Sequence, residues 1–280
     1  MTAPQLPLGT HGVWVRRPAL TPVLAREIER LGYGALWVGG SPGAGLEEAE
    51  AALDATERLV VATGIVNIWR ADAAETAHSF ARLEARHPGR FLLGIGSGHR
   101  ETDADRRSPL EAMSAYLDVL DAEGVPAGRR VLSALGPRML RLAAKRSLGS
   151  HPYLTVPAHT AWARGILGPD ALLAPEVMVV GEPDAARARA VGRAALVGYL
   201  GMSNYTSTML RWGFAPDDLA DGGSDRLVDA LTVWGDPARI AAALGAHLDA
   251  GASHVCAQAL PGGDDPVPTL AALADELFAG

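Results

Sequence analysis

The chain has 280 residues, 48% of them hydrophobic and 20% charged, with 32 Gly and 19 Pro. This is the composition of a folded globular protein, not of a disordered, collagenous or disulfide-stapled one, and a chain of this size buries about three quarters of its unfolded surface. A net charge of −7 with scarce lysine leaves no global basic footprint for nucleic acid.

The single cysteine, Cys256, excludes an internal disulfide and fits a reducing compartment. Residues 1–10 lack the basic and apolar regions of a signal peptide. Pro, Gly and charges interrupt every apolar stretch before it reaches the length of a membrane span. The expectation is a soluble cytoplasmic protein with no membrane partner.

Short apolar runs alternate with Ala/Arg/Glu-rich stretches of helical period. Gly12–Arg16 reads as a first strand, followed by a helix over Pro22–Leu31 with Thr21 as its cap and Pro22 at the first helical position. Ala35–Gly39 is a second strand and Glu47–Glu57 a helix with acidic residues crowding its first turn. Leu59–Trp69 is a third strand, with a helix from Ala73 to Ala85, and Phe91–Gly96 a fourth. A helix over Leu110–Glu123 leads to a strand at Arg130–Ala134, then a helix at Arg138–Ser147. Ser150–Thr155 is a sixth strand followed by a helix at His159–Leu167, and Val177–Gly181 a seventh followed by a helix at Asp184–Leu200. A helical excursion is predicted over Ser203–Trp234, then a helix over Pro237–Ala250, an eighth strand at His254–Leu260 and a last helix at Pro268–Phe278.

Buried parallel strands read as continuous apolar runs. Eight of them, each followed by a helix within a chain of this length, predict an α/β fold of the (β/α)8 barrel type, one domain over residues 1–280, with a doubly wound sheet as the alternative. In a barrel the active site forms where the strands end, so the residues after each strand carry the functional reading.

Gly94-Ile95-Gly96-Ser97-Gly98-His99 follows the fourth strand. It lacks the spacing of a dinucleotide fingerprint, and a charged run follows it instead of a packed helix. Its glycines would let a ligand approach the backbone. Gly39-Gly40-Ser41-Pro42-Gly43 has the form of a nucleophile elbow. Pro42 lacks the N–H that such an oxyanion hole requires, so the segment reads as a tight turn. None of the eight histidines pairs at metal-ligand spacing, and no metal is expected. His99 alone stands just past a strand end with glycines before it. His78, His87 and His247 read as surface helix positions and His254 as structural. Trp14, Trp37 and Trp69, at or near the ends of strands one to three, read equally as core or as the wall of a ligand pocket.

Five segments then point to one family. Leu31–Val38, Ala62–Arg70, Phe91–Gly98, Ala134–Leu140 and Gly235–Val255 together resemble the bacterial luciferase-like monooxygenase superfamily, and within it the coenzyme F420-dependent oxidoreductases. That resemblance implies a (β/α)8 barrel with the cofactor across the strand C-termini, hydride transfer at the deazaflavin C5 to or from a small organic substrate, and a homodimer. It implies a cis peptide at Gly64–Ile65 backing the ring, with Asn67 and Trp69 bordering it and Gly96 and Gly98 nearby. Gly136, Thr155 and His159 would approach the phosphate end. An Asp-His pair carried by several deazaflavin members after strand two is replaced here by Gly40-Ser41, and His99 stands where many carry a Glu. His99 is therefore the candidate for proton transfer. The region between strands seven and eight is expected to be short, reducing any lid over the substrate. Two other readings stay open: an FMN-dependent monooxygenase supplied with reduced flavin, and a non-catalytic cofactor-binding member.

Overall fold

A computed structural model describes residues 6–98 and 108–279. The alternation expected from the sequence is present. β1 (His11–Arg16), β2 (Ala35–Gly39), β3 (Val60–Gly64) with its short continuation β4 (Val66–Asn67), β5 (Phe91–Gly96), β6 (Arg130–Leu132) and β7 (Gly149–Ser150) run parallel in this order, separated by helices. α1 (Pro22–Arg30), α2 (Glu47–Ala55), α3 (Ala73–Arg86), α4 (Pro109–Ala122), α5 (Pro137–Arg146) and α6 (Pro157–Leu167) pack outside them.

The ring closes through one extended segment. Its first part, β8 (Leu172–Leu173), pairs with β7. Its second part, β9 (Glu176–Val180), pairs with β11 (Val255–Ala259), and β11 pairs with β1. Hydrogen bonds on both edges of the segment make it a single barrel strand: the Ala174 N–H donates to the Ser150 carbonyl on one side, and the Cys256 N–H to the Pro175 carbonyl on the other. The result is the parallel α/β barrel that the sequence predicts.

The excursion after strand seven differs from its sequence reading. α7 (Ala185–Leu196), α8 (Ser203–Arg211) and α9 (Asp225–Leu231) are helical, but Thr232–Trp234 forms a strand, β10. It lies parallel to β9, with Thr232 opposite Met178 and Trp234 opposite Val180. It pairs with β9 opposite β11, beyond the point where β7 has ended. Tyr153, read as a strand position, accordingly lies past the end of that strand. α10 (Pro237–Asp249) and α11 (Val267–Phe278) complete the outer layer.

Side-chain caps fix several helix starts. Thr21 Oγ1 accepts from the Leu24 N–H as its sequence position predicts, and Asp72, Asp184 and Asp236 do the same for α3, α7 and α10. Each cap satisfies one of the N–H groups that a helix start leaves without an intrahelical partner.

The barrel interior is filled by alternate strand residues, including Trp14, Ala35, Trp37, Val60, Ala62, Leu92, Val131 and Met178. At its centre Trp37 stacks on His151, with ring centroids 4.1 Å apart. The Trp37 Nε1–H donates to His254 Nε2 at 3.1 Å. His254 must then carry its proton on Nδ1, which lies 2.9 Å from the Gly9 carbonyl and donates to it. His254 is structural, as its place at a strand start predicts. His247, read as a surface position, is instead buried on the inner face of α10, with Nδ1 2.8 Å from Thr160 Oγ1 of α6.

Burial pushes His151, His247 and His254 down to about 4 from 6.5. Between those values the unfolded chain binds protons that the folded chain refuses, so stability is full above pH 6.5 and is lost as pH falls toward 4. Each histidine should contribute a slope of up to about 1.4 kcal/mol per pH unit. Urea titrations across this range check it, and an unfolding midpoint that stays constant from neutral pH down to 4 would refute neutral burial.

Candidate active site

A cavity of about 590 Å³ opens at the C-terminal ends of the first six strands. β1 supplies Trp14 and Arg16, the turn after β2 supplies Gly40 and Ser41, and β3–β4 supply Gly64, Ile65 and Asn67. Ser97 and Gly98 follow β5, Ser133, Leu135 and Gly136 follow β6, and His151 and Tyr153 follow β7. The ends of strands seven and eight, read as equal candidates in the sequence, do not line it. The chain after strand seven closes that side instead, through Tyr199 and the α8 residues Ser203, Asn204, Tyr205 and Ser207. The expected reduction of the lid is therefore corrected. The connection is long enough to place a helix over the mouth.

Strand three shapes the cavity wall. Val61 and Ala62 pair with Phe91 and Leu92, whereas Val66 and Asn67 pair with Ile95 and Gly96. The register thus shifts by one residue, the signature of a β-bulge, which re-aims side chains beside a site. The Gly64–Ile65 peptide is cis, as the family resemblance implies. Neighbouring glycines make room for this. A Cβ on Gly94 would lie 1.8 Å from the Thr63 carbonyl oxygen, and one on Gly96 2.7 Å from Ile65 Cδ1. Asn67 turns its carbonyl back to accept from the Trp69 N–H at 3.0 Å, and the Trp69 indole N–H donates to the Ser97 carbonyl.

Of the residues singled out in the sequence, Gly64, Ile65, Asn67, Trp69, Gly98 and Gly136 line the cavity together. Gly96 does not, because Ile65 occupies the space its missing side chain leaves. Thr155 and His159 are buried outside the lining. His159 Nε2 lies 3.1 Å from the Leu135 carbonyl, tying α6 to the turn that carries Gly136. His99 and Arg100 lie outside the described residues. Gly136 is the N-cap of α5 and Pro137 its first residue. The Arg138 and Met139 N–H groups stand ahead of the helical hydrogen-bond ladder there, a geometry that favours anions. Arg16 and Arg70 line the cavity.

The aromatic wall offered by the tryptophans of strands one to three was one of two readings of the sequence, but its tyrosines were not anticipated. Tyr153 packs on Trp14 with centroids 5.6 Å apart and on Tyr199 at 5.4 Å, and Tyr205 packs on Tyr199 at 5.4 Å. The Tyr153 hydroxyl donates to Gln258 Oε1 at 2.9 Å and lies 3.1 Å from the Tyr199 hydroxyl. Period-two alternation places Gly149, His151 and Tyr153 on one side, which was the available signal for His151 and Tyr153. Tyr199 and Tyr205 arrive from a helical segment whose docking no periodicity reveals. Of the three tryptophans, Trp14 and Trp69 line the cavity and Trp37 is barrel core. Beneath the wall Glu176 is fully buried, and burial pushes its carboxyl well above the usual carboxylate range. Burial likewise pushes up the Cys256 thiol, which donates to the Pro175 carbonyl and is unreactive there. Among the described residues no cluster of three His, Cys, Asp or Glu could hold a metal ion, and no helix is long and apolar enough to cross a membrane.

A raised folded-state value means that Glu176 is neutral when folded and ionised only when unfolded, so its contribution to stability is lost as pH rises above 4.5. Glu176→Gln should therefore raise the unfolding free energy near pH 8 and leave it almost unchanged near pH 4. Equal effects at the two values, measured by urea denaturation, would show that the carboxyl is ionised in place.

Residues 9–123 match the family described as luciferase-like monooxygenase. No curated protein matches the chain. Among solved structures it is similar to an F420-dependent secondary alcohol dehydrogenase in complex with an F420-acetone adduct, at 16% identity, covering 97% of this chain and 98% of that one with a TM-score of 0.76. It is also similar to the coenzyme F420-dependent tetrahydromethanopterin reductase from Methanopyrus kandleri, at 16% identity, 97% and 99% coverage and a TM-score of 0.72. The oxygenating constituent of 3,6-diketocamphane monooxygenase from Pseudomonas putida, in complex with FMN, aligns at 15% identity, 95% and 96% coverage and a TM-score of 0.68. At these identities the structures speak for the fold, and the family match speaks for the first four β/α units. Residues 9–123 are thus similar to luciferase-like monooxygenases, and the chain as a whole shares the fold of these solved structures.

Proposed function

We propose that the chain is an oxidoreductase that binds coenzyme F420 and transfers a hydride between it and a small organic substrate. The observation that carries this reading is one cavity that joins a bulged strand three, an aromatic wall and the N-terminus of α5. The residues fit a flat tricyclic ring with an anionic tail. Nothing lies within 4 Å of where a Gly136 Cβ would stand, and two buried nitrogens beside Gly64 await a polar partner. The resemblance to F420-binding solved structures supports the same reading.

When bound, the deazaflavin supplies the hydride at its C5. Ile65, Asn67 and Trp69 border the ring, and the Arg138 and Met139 amides at the start of α5 face the tail. Trp14, Tyr153, Tyr199 and Tyr205 exclude water, which strengthens every electrostatic contact inside. His99, just after the strand-four glycines, moves a proton to or from the substrate through its imidazole. A second reading, an FMN-dependent monooxygenase using reduced flavin and oxygen, draws on the family match and the FMN-bound relative. Absorbance and fluorescence of the protein mixed with each cofactor separate the two, and turnover over a panel of enones and alcohols tests for catalysis.

Gly136→Val adds a side chain where no protein atom is within 4 Å. It should leave the fold intact and weaken cofactor binding by roughly tenfold or more, equivalent to about 1.4 kcal/mol. Unchanged affinity would move the tail elsewhere. His99→Asn should keep cofactor affinity and lower kcat by about a hundredfold, the ordinary worth of general acid–base catalysis. Wild-type turnover in that variant would leave solvent as the proton source.

A further inference from the structure

Among the described residues, two buried polar atoms at the cavity have no hydrogen-bond partner, Trp14 Nε1 and His151 Nε2. Their side chains are almost completely buried yet border the cavity, with relative exposures of 5% and 2%. Interior polar atoms are rarely left without a partner, so each such atom calls for an explanation. An indole N–H can only donate. His151 Nδ1 lies 2.7 Å from the Ala174 carbonyl, which can only accept, so the proton is on Nδ1 and Nε2 is an acceptor. Burial holds the ring neutral across the physiological range, which preserves that acceptor.

The two atoms converge. A Cβ on Gly64 would lie 2.7 Å from Trp14 Nε1 and 3.0 Å from His151 Nε2. They therefore flank the strand-three bulge within two hydrogen-bond lengths of each other. Neither ring is placed to seek a partner elsewhere. His151 is stacked on Trp37, and Trp14 is wedged between Tyr153 and Gly39, where a Cβ would stand 1.8 Å from the indole.

A matching ligand group must accept from the indole and donate to the imidazole. A phosphate or carboxylate would leave His151 without a donor, and an ammonium would leave Trp14 without an acceptor. A pyrimidinedione edge offers a carbonyl beside an N–H. We infer that Trp14 Nε1 and His151 Nε2 form a donor–acceptor pair that reads the pyrimidinedione edge of a bound flavin or deazaflavin ring. This rests on the function proposed above. It adds that the pyrimidine end of the ring enters next to Gly64. Both residues are positioning residues: they orient the ring and take no part in bond making. Because the two cofactors share that edge, the pair does not choose between them, but it rejects a ring alkylated at N3.

The test is a fluorescence titration of the intact chain with FMN and with F420, followed by the N3-methyl derivative of whichever binds. The wild type should bind the N3-methyl ring at least tenfold more weakly than its parent. Trp14→Phe should weaken the parent ring about tenfold and keep that discrimination. His151→Phe should weaken the parent ring similarly and abolish the discrimination, a split that general loss of structure would not produce. The wild-type comparison needs no variant, so it decides even if a variant fails to fold. Equal binding of parent and N3-methyl rings by the wild type would overturn the inference and assign the two nitrogens to a bound water or a substrate hydroxyl, leaving the proposed function standing. If neither parent cofactor binds, the proposed function falls and the inference with it.

Discussion

A parallel ring closes only when its interior is filled, and in this chain the filling depends on the Trp37 indole. One face lies on His151 and its N–H is held by His254. His254 in turn reaches the backbone ahead of strand one, and His151 the Ala174 carbonyl of strand seven. A single stacked and hydrogen-bonded unit thus ties strands one, two, six, seven and eight together. Every nitrogen in it has one role fixed by its neighbour, so the imidazoles are locked in single tautomers. Such a network is costly if half satisfied and specifying when complete. Only the atom facing the cavity, His151 Nε2, is left without a partner.

That arrangement links core and site. The layer that packs the barrel centre also forms part of the cavity wall, and the rigidity of the stack is passed to the group that faces a ligand. Above it, strand three carries one residue more than its neighbour, and the glycines of strand four accept the bulge. Those glycines looked like places for a ligand to approach the backbone. Gly98 does face the cavity, but Gly94 and Gly96 serve to seat Thr63 and Ile65. The same absence of a side chain fits either role in a sequence, and only the position of the neighbouring strand distinguishes them.

The connection after strand seven shows why lids are hard to read. It was read as helical from Ser203 on, yet Thr232–Trp234, β-branched and aromatic residues that suit a strand, extends along β9 on the edge that β7 leaves open by ending early. α8 then reaches the cavity mouth with Tyr205, while Tyr199 descends from the end of α7. No local preference encodes this docking. It follows from a vacancy in the hydrogen-bonding pattern of strands distant in the chain.

By itself the sequence determined the eight alternating units, their direction and hence the face on which a site forms, because apolar periodicity, caps and turn residues are local signals. Asn67, Trp69, Gly98 and Gly136 stand at or near strand ends that were legible, whereas Gly64 and Ile65, inside the stretch read as strand three, were singled out only by the family resemblance. The tertiary structure alone decided which strand ends share the cavity, that His247 is buried, and that His151, Tyr153, Tyr199 and Tyr205 build its wall. Burial and hydrogen-bond partnership are properties of the assembled ring. An imidazole in a sequence carries no mark of which nitrogen will be left facing the cavity until the carbonyl opposite the other has been put in place.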